Sequence, residues 1–279
     1  MKLHVLVDNN TLIDRYFTGE PAVSYLIEDG DLRVLFDVGY SDIFLQNARK
    51  MNQDLLQLDY LVLSHGHMDH TWGMEPLIRA YTEATIEKMP CRKPIVITHP
   101  DTFLSKHMPA FPILGSIVSQ ETVARNFDLQ LSKEPVWLNS RLVFLGEIER
   151  QTSFEARHPI GTVCRGELEE DDFLVEDSAM VYRAQEGLVI ITGCSHAGIC
   201  NIIEQARRVC REERVVDIIG GLHLLQPSQE QLQGTLLYLQ ALQPQQIHAC
   251  HCTDLASKIA FSQVAKIGEV GVGTCLHYE

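Results

Sequence analysis

The sequence predicts an α/β protein built as a four-layer αββα sandwich, with two mixed β-sheets face to face and helices outside. Two observations predict it. The chain holds two segments with the same order of elements: strand, Gly turn, strand, helix, and a short strand ending in a histidine. The first of these short strands also runs directly into His65-Gly66-His67-Met68-Asp69-His70, a cluster of ligand-type side chains at a buried strand end.

Taken in order, Met1 to Val7 is apolar but stops at Asp8-Asn9-Asn10, too short for a targeting or spanning segment. No later stretch approaches the roughly 20 apolar residues that cross a bilayer. The expectation is a soluble, unprocessed cytoplasmic protein with no membrane partner. Ala22 to Ile27 and Leu32 to Phe36 are β-prone runs joined by Glu28-Asp29-Gly30-Asp31, which reads as a hairpin turn. Ser41 to Met51 has helical spacing, with Phe44, Leu45 and Ala48 on one face. Tyr60 to Leu63 is a short buried strand, and Ile95 to Thr98 another, ending at His99-Pro100.

From Asp101 to Leu138 the pattern is less regular, and the prolines of His107-Met108-Pro109-Ala110-Phe111-Pro112 forbid helix there. A long connection of this kind reads as a lid over a site or as a packed surface insertion. The second unit follows. Val181 to Cys194 reads strand, Gly turn at Gly187, strand, Gly-Cys. Val216-Asp217-Ile218-Ile219-Gly220-Gly221-Leu222-His223 repeats the pattern of Leu58-Asp59-Tyr60-Leu61-Val62-Leu63-Ser64-His65. Related halves would place His65 and His223 at matching strand ends facing one cleft. No Pro/Gly/Ser linker separates them, so residues 1–279 are expected to form a single domain, with the lid or insertion around 101–138.

Composition narrows the function. With 279 residues, 45% hydrophobic and 22% charged, the chain is neither disordered nor fibrous. Thirty-seven acidic against 23 basic residues give a formal charge of −14, the wrong sign for neutralising nucleic-acid phosphates. The expected partner is a small-molecule substrate. It can be anionic, because a bound metal reverses the local field. A homo-oligomer remains open. The 8 cysteines form no Cys-x-x-Cys pair, so free thiols are the expectation.

In a strand-end loop, alternate residues can point the same way. His65 and His67 can therefore grip one ion while Asp69 and His70 turn towards a second. Imidazole and carboxylate suit one or two divalent ions, zinc first, with iron or manganese as alternatives.

This His-x-His-x-Asp-His motif resembles that of the metallo-β-lactamase fold superfamily. Leu35-Phe36-Asp37-Val38-Gly39 is similar to its upstream strand, whose Asp supports the metal loop from behind the ligands. Val7-Asp8-Asn9-Asn10, Thr192-Gly193-Cys194-Ser195-His196-Ala197-Gly198-Ile199, Gly220-Gly221-Leu222-His223-Leu224 and Cys250-His251-Cys252-Thr253 extend the likeness. Together they resemble the subgroup named for 7,8-dihydropterin-6-yl-methyl-4-(β-D-ribofuranosyl)aminobenzene 5'-phosphate synthase. The resemblance implies the αββα fold, a binuclear metal site and His251 as its final histidine, partner of Asp69 and His70.

Two departures stand out. Cys194 occupies the place of the usual bridging Asp, and a carboxylate, Asp177 or Glu176, lies where a third His is expected. His196 could complete the metal shell in its stead, or stabilise a helix N-terminus. Cys194 reads as a thiolate ligand or as a small buried cysteine. Cys194, Asp177, Asp37 and Asp8 are thus candidates for the metal or for the groups behind it. Cys250 and Cys252 are expected to pack into the core, and His4, His248 and His277 to be structural or exposed. His99, His107 and His158 stay undecided.

The functional expectation is a metal-dependent hydrolase or synthase acting on a phosphorylated or pterin-type substrate. Asp69 would orient water and accept its proton, and His223 would protonate the leaving group, bind metal or hold a phosphate. The alternatives are a di-iron redox protein and a catalytically silent metal- or ligand-binding protein. No Ser nucleophile elbow, Walker loop or dinucleotide fingerprint competes.

Overall fold

The structure is a computed structural model describing residues 1–109 and 113–279. The proline-rich Ala110-Phe111-Pro112 lies outside the described residues. In chain order, the first half runs β1 (Lys2–Val7), β2 (Ser24–Asp29), β3 (Leu32–Phe36), α1 (Ile43–Lys50), β4 (Tyr60–Val62), α2 (Met68–Thr71), α3 (Met74–Ile86), β5 (Ile95–Thr98), β6 (Lys106–His107), α4 (Gln120–Asn126) and β7 (Asp128–Leu131). The second runs β8 (Val136–Trp137), β9 (Leu142–Phe144), β10 (Thr162–Arg165), β11 (Leu168–Asp171), β12 (Ala179–Ala184), β13 (Gly187–Thr192), α5 (Ile199–Cys210), β14 (Val215–Gly221), α6 (Gln229–Leu242), β15 (Gln246–Cys250), α7 (Leu255–Phe261), β16 (Lys266–Ile267) and β17 (Cys275–His277).

Two seven-stranded sheets result, ordered β17-β1-β2-β3-β4-β5-β7 and β16-β15-β14-β13-β12-β9-β8. In the first, the β2–β3 hairpin is antiparallel and β3, β4, β5 and β7 are parallel. In the second, the β12–β13 hairpin is antiparallel and β13, β14, β15 and β16 are parallel. The internal repeat is therefore real at the level of topology, and β4 and β14 occupy equivalent positions.

The layers follow from strand periodicity, since alternate side chains point to opposite faces. Tyr25, Val34, Phe36 and Val62 of the first sheet meet Phe144, Tyr182, Val189 and Ile191 of the second in one inner core. Their neighbours Leu26, Leu35 and Leu61 pack outward on Phe44 of α1 and Leu77 and Tyr81 of α3. Val181, Ile190, Ile218 and Ile247 do the same on Ile202 and Ile203 of α5, Leu239 of α6 and Phe261 of α7. Strands covered on both faces read as continuous apolar runs rather than alternating ones, as these do. Each such side chain contributes about 1.5–3 kcal/mol through burial.

Within the 101–138 connection, β7 extends the first sheet, α4 packs Val123 into its outer core and β8 begins the second sheet, so residues 120–138 are framework. The sequence hid this because β7 and β8 are edge strands of only four and two residues, too short to show a period. The part that contacts the His65–His70 segment is shorter. β6 joins β10 and β11 in a small antiparallel sheet. Lys106 O accepts from Leu114 N, and Leu114 O accepts from Met68 N, both at 2.9 Å.

Candidate metal centre

The cluster is assembled at the C-terminal ends of parallel strands, where open α/β sheets present ligand sites. The loop after β4 carries His65 and His67 and runs into α2, which carries Asp69 and His70; the loop after β13 carries Cys194 and His196, and those after β14 and β15 carry His223 and His251. Asp37, Ser195, His223 and His251 all have left-handed backbones, with φ of 56, 62, 49 and 51°. Non-glycine residues rarely adopt this region, and such strain gathers at functional sites.

Two groups of ligand atoms converge. Asp69, His70, Cys194 and His251 form one, and His65, Cys194 and His196 the other, each with its ligand atoms within 4.8 Å of one another. Cys194 Sγ belongs to both, lying 3.2 Å from His70 Nε2 and 3.1 Å from His251 Nε2. Asp69 Oδ2 is 3.2 Å from His251 Nε2 and 3.5 Å from His70 Nε2. The His67 ring centroid lies 4.7 Å from that of His65 and 4.8 Å from that of His196. The Nε2 atoms of His65 and His67 and both ring nitrogens of His196 are buried without any hydrogen-bond partner. Buried polar atoms are rarely left unpaired, so this concentration of orphaned nitrogens fits a cation. The donor set, imidazole with carboxylate and thiolate, suits a zinc-like divalent ion.

The groups behind the ligands set which nitrogen faces inward. Asp37 Oδ1 accepts from Ser64 N, and its Oδ2 accepts from Ser64 Oγ, both at 2.7 Å. His70 Nδ1 also lies 2.7 Å from Asp37 Oδ2. A carboxylate only accepts, so His70 carries its proton on Nδ1 and turns an Nε2 lone pair inward. The Ser64 hydroxyl, having donated to Asp37, accepts from His65 Nδ1 at 2.9 Å, which frees His65 Nε2 in the same way. Asn9 Nδ2 donates to His251 O and its Oδ1 accepts from His251 Nδ1, each at 3.1 Å. Asp8 Oδ1 accepts from His251 N. Two glycines make room for this packing. A Cβ at Gly193 would stand 2.3 Å from Ser64 Oγ, and one at Gly66 would stand 2.3 Å from Thr102 O.

Electrostatics separate the two groups. Burial pulls His65 and His196 well below the ordinary imidazole value and His67 down to about 3, so these rings are neutral donors. Burial acts the same way on His70, but Asp69 and Asp37 outweigh it and hold the ring above its ordinary value. Burial opposes ionisation of Asp69, yet His70 and His251 hold its carboxylate below the usual range. Burial pushes the Cys194 thiol well up in the metal-free protein. A metal there would have to displace that proton.

His65, His67, Asp69, His70, Cys194, His196 and His251 are thus brought together, and His223 adjoins them, its ring 4.2 Å from that of His196. Asp177 stands apart from both ligand groups. Its Oδ2 accepts from Ala197 N at 2.7 Å, its Oδ1 is 3.8 Å from His65 Nδ1, and burial pushes the carboxyl up to about 7. It backs the loop bearing His196 and the far side of His65. Glu176 turns away to Lys106 Nζ at 2.8 Å, which also meets Asp172 at 2.7 Å. Asp37 and Asp8 likewise stand behind ligands.

Cys250 is buried, its Sγ 3.2 Å from Tyr25 Oη. Cys252 is not a core residue as expected: it lines the cleft, its Sγ 3.4 Å from Cys194 O. Its position on the left-handed turn after β15 redirects a side chain that strict alternation would bury. His248 is tied to Asp217 and His4 to Glu28. His99 pairs with Glu147, and His158 is exposed. Sequence reasoning missed Ser64, Asn9 and Lys106. Ser64 and Asn9 lay inside quoted motifs, but Lys106 carried no signal, because a lysine is ordinarily a surface residue.

The centre opens into a cleft of about 1300 Å³. Among the described residues no helix is long and apolar enough to cross a membrane.

Comparison with known proteins bears on this geometry. Residues 17–175 match the family model described as the metallo-beta-lactamase superfamily. The chain is 28% identical to the uncharacterized protein MJ0448 of Methanocaldococcus jannaschii, over 96% of this chain and 98% of that protein. It is 26% identical to that organism's 7,8-dihydropterin-6-methyl-4-(beta-D-ribofuranosyl)-aminobenzene-5'-phosphate synthase, covering 95% of this chain and 92% of the synthase. Among solved structures, Tm1679, described as a metal-dependent hydrolase of the beta-lactamase superfamily, superposes with a TM-score of 0.83 at 28% identity. That superposition covers 99% of this chain and 98% of Tm1679.

Proposed function

The chain belongs to the metallo-beta-lactamase superfamily, and from that premise we propose that it is a metal-dependent enzyme acting on a phosphorylated or pterin-type small molecule, as a phosphoester hydrolase or a synthase of the dihydropterin type. The observation that carries this reading is the set of orphaned, inward-facing imidazole nitrogens around Cys194 at the floor of a large cleft. The likeness to the synthase and to Tm1679 supports the substrate and reaction classes.

His65, His67, His196 and Cys194 would hold one ion, and Asp69, His70, His251 and Cys194 a second. Bound there, divalent ions would supply the Lewis acidity that activates water at neutral pH and polarises a phosphoryl oxygen. The chain's own groups do the rest. Asp69 is the ligand-type carboxylate that reaches the cleft, so it orients the attacking water and accepts its proton. His223, which lines the same cleft beside His196, delivers a proton to the leaving group. Burial works against its protonation, but Cys252, Asp177 and Asp69 outweigh burial and raise its pKa above the ordinary imidazole value. Its Nδ1 is buried with no partner in the protein, leaving it free for a substrate oxygen.

The test combines elemental analysis of purified protein with hydrolysis of bis(p-nitrophenyl) phosphate before and after chelation and metal return. Turnover lost with the metal and restored by it is expected. Stoichiometric metal without turnover on this ester or on a dihydropterin phosphate would favour a silent metal-binding protein. An iron absorbance that bleaches on reduction would favour a redox centre.

A further inference from the structure

The walls of the cleft, unlike its floor, are mainly apolar. Leu225 and Leu255 stand at its lip, 68% and 72% exposed, too open to be core residues. They are not loose. Leu224 N donates to Cys252 O, Asp254 N to Leu224 O, and Gln226 N to Asp254 Oδ2, which locks the two leucine-bearing loops together. Leu114, Ile160 and Tyr40 continue the apolar lining.

Four acids or lysines line this cleft: Glu20, Asp69, Asp254 and Lys258. The acids are engaged. Glu20 accepts from the backbone of Tyr40 and Ser41 and from Ser41 Oγ. Asp254 accepts from Ser257 N and Gln226 N. Asp69 meets His70 and His251. Among the described residues nothing pairs with the Lys258 ammonium, although the chain carries a net charge of −14 and so offers acids widely. Lys258 is half-buried and lies three residues from Leu255 on α7, so the two share one helix face. A lone ammonium beside exposed leucines matches a ligand with an apolar body and a negative end.

We propose that Lys258 anchors the anionic group of a substrate whose apolar body lies against Leu225 and Leu255 while its reacting end reaches the histidine cluster. This rests on the enzymatic reading above and adds the substrate's shape and charge: a carboxylate or phosphate remote from the scissile group, joined to it by an aryl or similar apolar body.

Binding of inert probes to the metal-loaded protein separates the two claims. Naphthalene-2-sulfonate and neutral 2-naphthylmethanol share a body, and a sulfonate is a poor metal ligand. Followed by ligand fluorescence, the wild type should favour the sulfonate about tenfold, the worth of one charge-assisted hydrogen bond. Lys258→Gln should abolish that preference, Lys258→Arg should retain it, and Leu255→Ser should weaken both probes together. Equal binding of the sulfonate by wild type and Lys258→Gln overturns the proposal. So does a wild type that binds the two probes alike or binds neither. These outcomes do not depend on catalysis. A Lys258-dependent preference in a protein that turns over no ester would remove the enzymatic reading and leave the anchor standing.

Discussion

Asp37→Asn changes one atom and should disarm two candidate metal ligands, His65 and His70, 28 and 33 residues away in sequence. The carboxylate of Asp37 receives three hydrogen bonds of 2.7 Å, from Ser64 N, Ser64 Oγ and His70 Nδ1. An asparagine that keeps its oxygen on Ser64 N must turn its NH₂ towards His70 and the Ser64 hydroxyl. His70 can then accept only by moving its proton to Nε2. The Ser64 hydroxyl, now accepting from the amide, donates to His65 Nδ1 and drives that proton to Nε2 as well. Both inward lone pairs become N–H groups. Losing a carboxylate partner behind one metal-bound imidazole typically costs 10- to 100-fold in affinity. With both groups affected, the expected loss is about a hundredfold or more. Stability should fall by about 3 kcal/mol, as charge-assisted bonds become neutral ones. Competition against a chromophoric chelator reads the affinity. Long-range ¹H–¹⁵N correlation spectra of the imidazoles in metal-free protein read the tautomers. Zinc affinity within about threefold of wild type, with His70 still protonated at Nδ1, would refute this account of the site.

Other consequences can be checked alongside. His67→Ala should lose most metal and activity yet keep its circular dichroism spectrum and cooperative unfolding, because the inner core rests on apolar packing rather than on the ion. Outright unfolding would indicate a structural metal. Cys194 Sγ is the one ligand atom shared by both groups, so a single sulfur should leave the two positions unequal; Cys194→Asp, whose carboxylate offers two oxygens, should raise occupancy of the less tightly held position in a titration of stripped protein. Two equally tight ions in wild type, unchanged by the substitution, would make Cys194 a packing residue. Glu155 is buried where its carboxylate accepts from Cys200 N and Asn201 N at the start of α5. Burial raises its pKa above the unfolded value, so its contribution to stability is largest below about pH 4.5 and declines as pH rises through the folded value. Chemical denaturation of wild type and Glu155→Gln between pH 4 and 8 should therefore show a stability difference that shifts towards the variant as pH rises. A difference independent of pH would exclude this carboxyl as the titrating group.

The strand-Gly-strand-helix-strand pattern was legible because each unit folds on local rules: β-prone runs, a turn glycine and helical spacing within about forty residues. Its reality as a topological repeat appears in the matching parallel runs β3-β4-β5-β7 and β13-β14-β15-β16. His65, His67, Asp69 and His70 were legible for a similar reason, since one loop carries them all. What the sequence could not decide is what sheet closure decides. The residue type alone left Cys194 between ligand and filler; the fold sets its sulfur within 3.2 Å of both His70 and His251, where it can serve both candidate ligand groups. Asp177 was a candidate ligand until the loop after β13 packed on it and took its oxygen for Ala197 N. Asn9 orients His251 across 242 residues of chain, and Lys106 meets Asp172 across 66. No periodicity carries such pairs. Asn9 meets His251 because the two large sheets set the end of β1 beside the end of β15, and Lys106 meets Asp172 because β6 and β11 flank β10 in the small sheet. The same packing fixes which nitrogen of each histidine faces the cleft, and that is a property of hydrogen-bond partners rather than of residue type.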